Sequence, residues 1–305
     1  MARIVKSLCI AAVLALIASA PSRAAPAVIV SSKLSSESAL IGEMIGMILK
    51  GAGIPTVDRL RLGATPVVRR ALLDGEIDLY VDYTGNGAIF FDMPSNPAWK
   101  SFQRGYQLGA RLDLTRHRIV WLTPAPASDT WALAVRRDVA AKYHLRTMSD
   151  FARWVRGGGE AVLACSAEFA NAGTLRSLER TYGFRLRSDQ LIVLAGGETA
   201  AMIAAAAART DGTNTAMVYS TDGGIAAARL IVLKDDRHVE PVYAPVPLIR
   251  EAVLREYPAI AARVKPLMES LDRETLQGLN ERMQVDGEPL EAVASDYLRR
   301  KGLLK

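Results

Sequence analysis

Apolar residues along this chain come in short blocks whose spacing changes from block to block. Val28-Ile29-Val30 is apolar and β-branched on successive residues, as in a strand buried on both faces, and the polar Ser31-Ser32-Lys33 follows it. Leu40, Ile41, Met44, Ile45, Ile48 and Leu49 then recur at helical spacing behind Ser36 as N-cap, until Gly51 and Gly53 interrupt them. A second unit repeats this order. Thr65 is the expected cap, Pro66 takes the first helical position, Val67, Val68, Ala71 and Leu72 form the apolar stripe, and Asp74-Gly75 ends the helix before a strand at 77–81. Further strands are predicted at 131–135, 161–165 and 191–194, each followed by a turn and a helical pattern. Residues 198–209 read as a short alanine-rich helix after Gly196-Gly197, and four helices are predicted beyond Pro241, over 246–257, 260–271, 273–283 and 290–301. Such alternation predicts an α/β protein whose sheets carry helices on both faces.

The N-terminus does not belong to that pattern. Arg3 and Lys6 precede an apolar run over 8–20 interrupted only by Ser19, and Ser22-Arg23-Ala24-Ala25 follows with small residues at the positions a signal peptidase reads. The run is shorter than the roughly 20 residues of a spanning helix, so residues 1–24 are expected to be a cleaved secretory signal and the mature protein to be periplasmic, with no membrane insertion. Removing Arg3, Lys6 and Arg23 leaves 35 Lys and Arg of the original 38 against 32 Asp and Glu, a net +3. That near balance gives little support to nucleic acid as a partner. Cys9 leaves with the signal, and Cys165 is then the only thiol, which provides neither an internal disulfide nor a zinc site and reads as a small buried hydrophobe.

Candidate chemistry is sparse. His117, His144 and His238 have no second histidine at metal-ligand spacing, and no nucleophile elbow, Walker lysine loop or dinucleotide fingerprint occurs, so neither a metal, a cofactor nor an enzymatic activity is expected. What stands out is a set of aromatics in or beside turn chemistry, where loops at strand ends build ligand sites. Tyr83 lies in Asp82-Tyr83-Thr84-Gly85-Asn86, Trp131 follows Ser128-Asp129-Thr130, Tyr219 precedes Ser220-Thr221-Asp222-Gly223, and Tyr243 lies in Pro241-Val242-Tyr243-Ala244-Pro245. A single loop tyrosine is more often a packing residue than a ligand contact. The residues alone therefore describe an exported α/β protein with an unidentified ligand.

Over nearly all of its mature length, however, the chain resembles the glycine betaine/choline substrate-binding proteins of osmoprotectant ABC importers. The resemblance rests on Val30-Ser31-Ser32-Lys33 with Glu37 and Gly42-Glu43, on Asp74-Gly75-Glu76-Ile77-Asp78-Leu79-Tyr80 running into Tyr83-Thr84-Gly85, on Glu168-Phe169 and Tyr182-Gly183-Phe184, on Tyr219-Ser220-Thr221-Asp222-Gly223, and on Leu233-Lys234-Asp235-Asp236. The variant Tyr83-Thr84-Gly85-Asn86-Gly87-Ala88 is similar to the branch of osmotically regulated importers.

The resemblance implies a two-lobed periplasmic binding fold of type II, each lobe a sheet flanked by helices. One lobe is expected at 25–133 plus 240–305 and the other at 134–239, with the ligand between them. It also implies an aromatic box of Tyr83, Trp131, Tyr219 and Tyr243 around a trimethylammonium head, and Lys33 as contact for a carboxylate. A quaternary ammonium has no N–H to donate, so charge and the negative faces of aromatic rings are what can recognise it. The chain departs from the family's pattern after Glu168-Phe169: no arginine follows until Arg176, and Asn171 is the nearest polar substitute. An amide cannot reproduce the two parallel bonds of a guanidinium, which favours weaker betaine binding or a ligand without a carboxylate, such as choline. Asn86, where many relatives have threonine, is a further change beside the site. The implied partners are a small quaternary-ammonium ligand and the permease subunits of the importer, with the protein itself a monomer. The competing expectation is a periplasmic sensor or partner-regulating protein that keeps the fold without transporting betaine.

Overall fold

The computed structural model describes residues 26–171, 173–194 and 199–304; the expected signal at 1–24, Gly196-Gly197 and Glu198 lie outside the described residues. Ten strands are described: β1 (Val28–Lys33), β2 (Thr56–Gly63), β3 (Leu79–Tyr83), β4 (Ile119–Trp121), β5 (Trp131–Arg136), β6 (Leu163–Ser166), β7 (Leu191–Leu194), β8 (Thr215–Tyr219), β9 (Leu230–Val232) and β10 (Pro245–Arg250). The helices that matter below are α1 (Ser36–Gly51), α2 (Thr65–Asp74), α3 (Phe102–His117), α4 (Thr174–Tyr182), α5 (Thr199–Ala208), α6 (Arg273–Gln284) and α7 (Leu290–Arg300).

The strands form two five-stranded sheets with one design. The first has the order β2-β1-β3-β10-β4, and the second β7-β6-β8-β5-β9. In the first, β1 runs parallel to β2 and β3 while β10 is antiparallel to β3 and β4. In the second, β6 runs parallel to β7 and β8 while β5 is antiparallel to β8 and β9. Each sheet thus receives one reversed strand just after the chain crosses over from the other: β5 follows the first crossing and β10 the second. Leu133, the last residue assigned to the first lobe from the sequence, lies inside β5, and Trp131 to Val135 pair residue by residue with β8 of the second sheet.

Each sheet is buried by helices, as the periodicity demands. The α1 residues Leu40, Ile41, Met44, Ile45 and Leu49 are fully buried against Val30, Leu79 and Val81 of the first sheet and Leu279 and Leu298 of α6 and α7. Its cap is Ser35 rather than Ser36: the Ser35 side chain accepts from the Ser38 N–H. On the other sheet face Val68 and Leu72 of α2 meet Tyr80, Trp121 and Leu248. Thr65 opens α2 without capping it, Val67 is exposed, and Gly75 ends the helix at φ +78, the left-handed conformation that a residue without Cβ takes at no cost.

One expectation fails for a clear reason. Residues 246–257 divide into β10 and a short helix, Glu251–Glu256. β10 sits between β3 and β4 with both faces buried, so its apolar residues show no period of two. Pro245 and Pro247, which argue against a central strand, contribute carbonyls that accept from Ala125 and Leu122. Cys165 is buried at the centre of the second lobe, and burial pushes its thiol up to about 11, out of reactive range. No helix among the described residues is long and apolar enough to cross a membrane.

Candidate functional site

A cavity of about 1060 Å³ lies between the two sheets. Its walls come from the carboxyl ends of β1, β3 and β8, the beginning of β5, and the crossing segments, the position at which open α/β sheets bind ligands. Lys33, Tyr83, Asn86, Trp131, Tyr219 and Tyr243 all line it.

The four rings reach it by different routes. Tyr83 ends β3, is 5% exposed, and donates its hydroxyl to Glu37 Oε1 at 2.8 Å. Trp131 and Tyr219 are register partners across β5 and β8, so their side chains leave the same sheet face, with ring centroids 6.4 Å apart at 43°. Phe169 closes the back of the indole edge-on at 5.8 Å. Tyr243 belongs to the second crossing, where its N–H donates to Ser128 Oγ at 3.0 Å and its carbonyl accepts from Asp129 N–H at 2.9 Å, which ties the two crossings together. A Cβ on Gly85 would lie 2.6 Å from the Tyr243 ring, so glycine there is what admits the ring.

Lys33 and Asn86 converge on one carboxylate. Asp82 Oδ1 accepts from Lys33 Nζ at 3.0 Å, Asn86 Nδ2 at 2.6 Å and the Tyr83 N–H at 2.8 Å, while Oδ2 accepts from the Tyr80 hydroxyl at 2.5 Å. The Lys33 ammonium also stands 4.1 Å from the centroid of the Tyr83 ring. Asn171 is elsewhere: it ends the short helix Ala167–Asn171, is exposed, and does not line the cavity. The wall next to it is instead one face of α4, with Thr174, Ser177, Arg180 and Thr181, whereas Arg176 projects from another side. Arg180, which donates to Ser177 Oγ at 3.2 Å, is the guanidinium of that wall, and the motif spacing after Glu168-Phe169 gave no hint of it.

Beside Lys33, Lys100 and Arg180, four acids also line the cavity, which the sequence reading missed. Glu37, Asp129, Asp222 and Glu240 line it with the rings. Glu37 Oε2 accepts from Asn280 Nδ2 at 2.9 Å; the same amide reaches the Thr221 carbonyl at 2.8 Å, and Thr221 Oγ1 donates to Asp129 at 2.7 Å. Burial, reinforced by the Asp129 charge, pushes the Glu37 carboxyl up to about 8, and burial raises Asp129 as well, against the hydrogen bond from Thr221 and the pull of Lys33. Burial and the neighbouring Asp235 push Glu240 up to about 7, with Lys100 opposing. A signal was present: an acid stands within three residues of each ring, Asp82 beside Tyr83, Asp129 before Trp131, Asp222 after Tyr219 and Glu240 before Tyr243. The ring faces favour an organic cation, and the carboxyls add to this only in their ionised form. Among the described residues no cluster of His, Cys, Asp and Glu could hold a metal ion.

The family model described as the substrate binding domain of ABC-type glycine betaine transport system matches residues 26–300. The glycine betaine-binding protein YehZ of Escherichia coli (strain K12) is 49% identical over 288 residues, 94% of each chain. A solved structure of YehZ superposes with a TM-score of 0.87 at 48% identity, covering 92% of this chain and all of that one. A glycine betaine/carnitine/choline ABC transporter structure, 24% identical, shares the fold with a TM-score of 0.80 over 91% of this chain and 100% of its own.

Proposed function

The chain belongs to the family of substrate-binding domains of ABC-type glycine betaine transport systems, and we propose that it captures a small quaternary-ammonium ligand in the periplasm and delivers it, as a monomer, to the permease subunits of an importer. The observation that carries the reading is the convergence of Tyr83 from the first sheet, Trp131 and Tyr219 from the second, and Tyr243 from the second crossing on one cavity lined with carboxyls. A methylated ammonium placed there is held by ring faces worth roughly 0.5–2 kcal/mol each. Glycine betaine is the first ligand to test, because the relative that shares nearly half of its residues is named for it. Its carboxylate would meet Lys33 from one wall or Arg180 from the other.

Because both lobes supply rings to the box, a bound ligand bridges them and favours the closed arrangement, which the permease reads. The second lobe begins at β5 in this view, and rotation occurs about the crossing segments. The family match favours transport over a purely sensory role. Calorimetric titration of the mature protein with glycine betaine, choline, carnitine and proline betaine tests the proposal, with saturable heat expected from glycine betaine or choline. No heat from any of the four would overturn it, and recovery of chemically altered ligand would replace it with an enzymatic reading.

A further inference from the structure

The Lys33 ammonium stands against Tyr83, one of the four rings that the aromatic-box reading gives to the ligand. It lies 4.1 Å from the Tyr83 ring centroid, the geometry of a cation held by a π face, and its side chain is only 12% exposed. With Lys33 there, 5% of Tyr83 remains accessible, too little for a second cation to cover the ring. We infer that Lys33 and the methylated cation of a ligand compete for the same face of Tyr83, so that Lys33 selects zwitterions over simple cations. The inference rests on the aromatic-box reading above.

Three features make the exchange feasible. The Lys33 backbone is fixed, its N–H donating to Ser38 Oγ at 3.1 Å beside a register shift in β1, so the flexible four-carbon stem alone has to move. Asp82 can release it, because the Tyr80 hydroxyl, the Tyr83 N–H and the Asn86 amide continue to solvate the carboxylate. The outcome then depends on what the ligand offers a displaced ammonium. A zwitterion brings its own carboxylate for the moved Lys33 to meet, whereas a simple cation brings only like charge and leaves the displaced ammonium to the carboxylates already lining the cavity.

Titration of the full mature chain, unaltered and as Lys33→Met and Lys33→Gln, with tetramethylammonium and with glycine betaine tests this. Removing the competitor should lower the Kd for tetramethylammonium about fivefold and raise that for glycine betaine about tenfold, opposite signs from one substitution. Lys33→Gln keeps a donor for Asp82 and carries the test if the apolar variant melts early. Unchanged or weakened tetramethylammonium binding in the folded variant overturns the inference while leaving the aromatic box intact. Failure of both ligands to bind the unaltered protein overturns the box itself, and the inference with it.

Discussion

Trp131 and Tyr219 face each other as register partners across β5 and β8, with ring centroids 6.4 Å apart. Neither ring position is independent of the other. Trp131→Ala or Tyr219→Ala is therefore expected to weaken ligand binding by about 1–3 kcal/mol, and the double variant by less than the sum, because each single change already loosens the remaining ring. A calorimetric double-mutant cycle measures the shortfall, and strict additivity would mean that the rings act separately.

The pH dependence follows from Glu37. Its carboxyl lies at about 8 in the folded protein against an ordinary 4.5, so the folded state holds a proton that the unfolded chain would release between those values. Its contribution to stability is full below about 4.5 and is lost as pH rises through about 8. A ligand cation prefers the ionised form, so affinity for it should rise over the upper part of the same window, with up to one proton released on binding. Titrations in buffers of different ionisation enthalpy count that proton, and Glu37→Gln should abolish it.

Asp113 holds the first lobe together away from the cavity. It is fully buried and accepts two bonds from Arg69 at 2.5 and 2.7 Å, one from Trp121 Nε1 at 2.7 Å, and pairs with His117 Nδ1 at 2.8 Å. Asp113→Ala leaves the Arg69 guanidinium buried without its counter-charge and should cost about 3–5 kcal/mol in chemical denaturation, with the affinity of the folded fraction unchanged.

Gly223 is where the second lobe touches α6 of the first. A Cβ there would stand 2.2 Å from the Glu281 backbone nitrogen and 2.3 Å from the Asn280 carbonyl carbon, atoms that cannot turn aside. Gly223→Ala should force the lobes apart. The expected result is a larger radius of gyration in solution scattering and about tenfold weaker ligand binding, by removal of part of the closed population rather than of a contact.

Much of this was legible in the chain, and what was not has local causes. The apolar face of α1 and the helices near the C-terminus follow from 3.6-residue spacing, and the rings stand out because turn residues surround them. β2 was invisible because Asp58, Arg59 and Arg61 lie on an exposed edge strand that presents little apolar surface. β10 was misread because a strand buried on both faces and carrying two prolines shows neither alternation nor the expected chemistry. The acids Glu37 and Asp129 come from a helix start and a loop 92 residues apart, joined only through Thr221 and Asn280, a proximity that no spacing rule encodes.

The two crossings are bonded to each other through Asp129, Ser128 and Tyr243, and two of the rings, Trp131 and Tyr243, lie on or directly beside that bonded pair. Half of the box thus rides on two separate stretches of chain that are hydrogen-bonded into one unit between the lobes. Under the proposed function, a bulkier headgroup that pushes these rings outward would also change the angle between the lobes, so the girth of the cargo would be converted into the shape offered to the membrane partner. Two compounds held equally tightly can then be unloaded at different speeds.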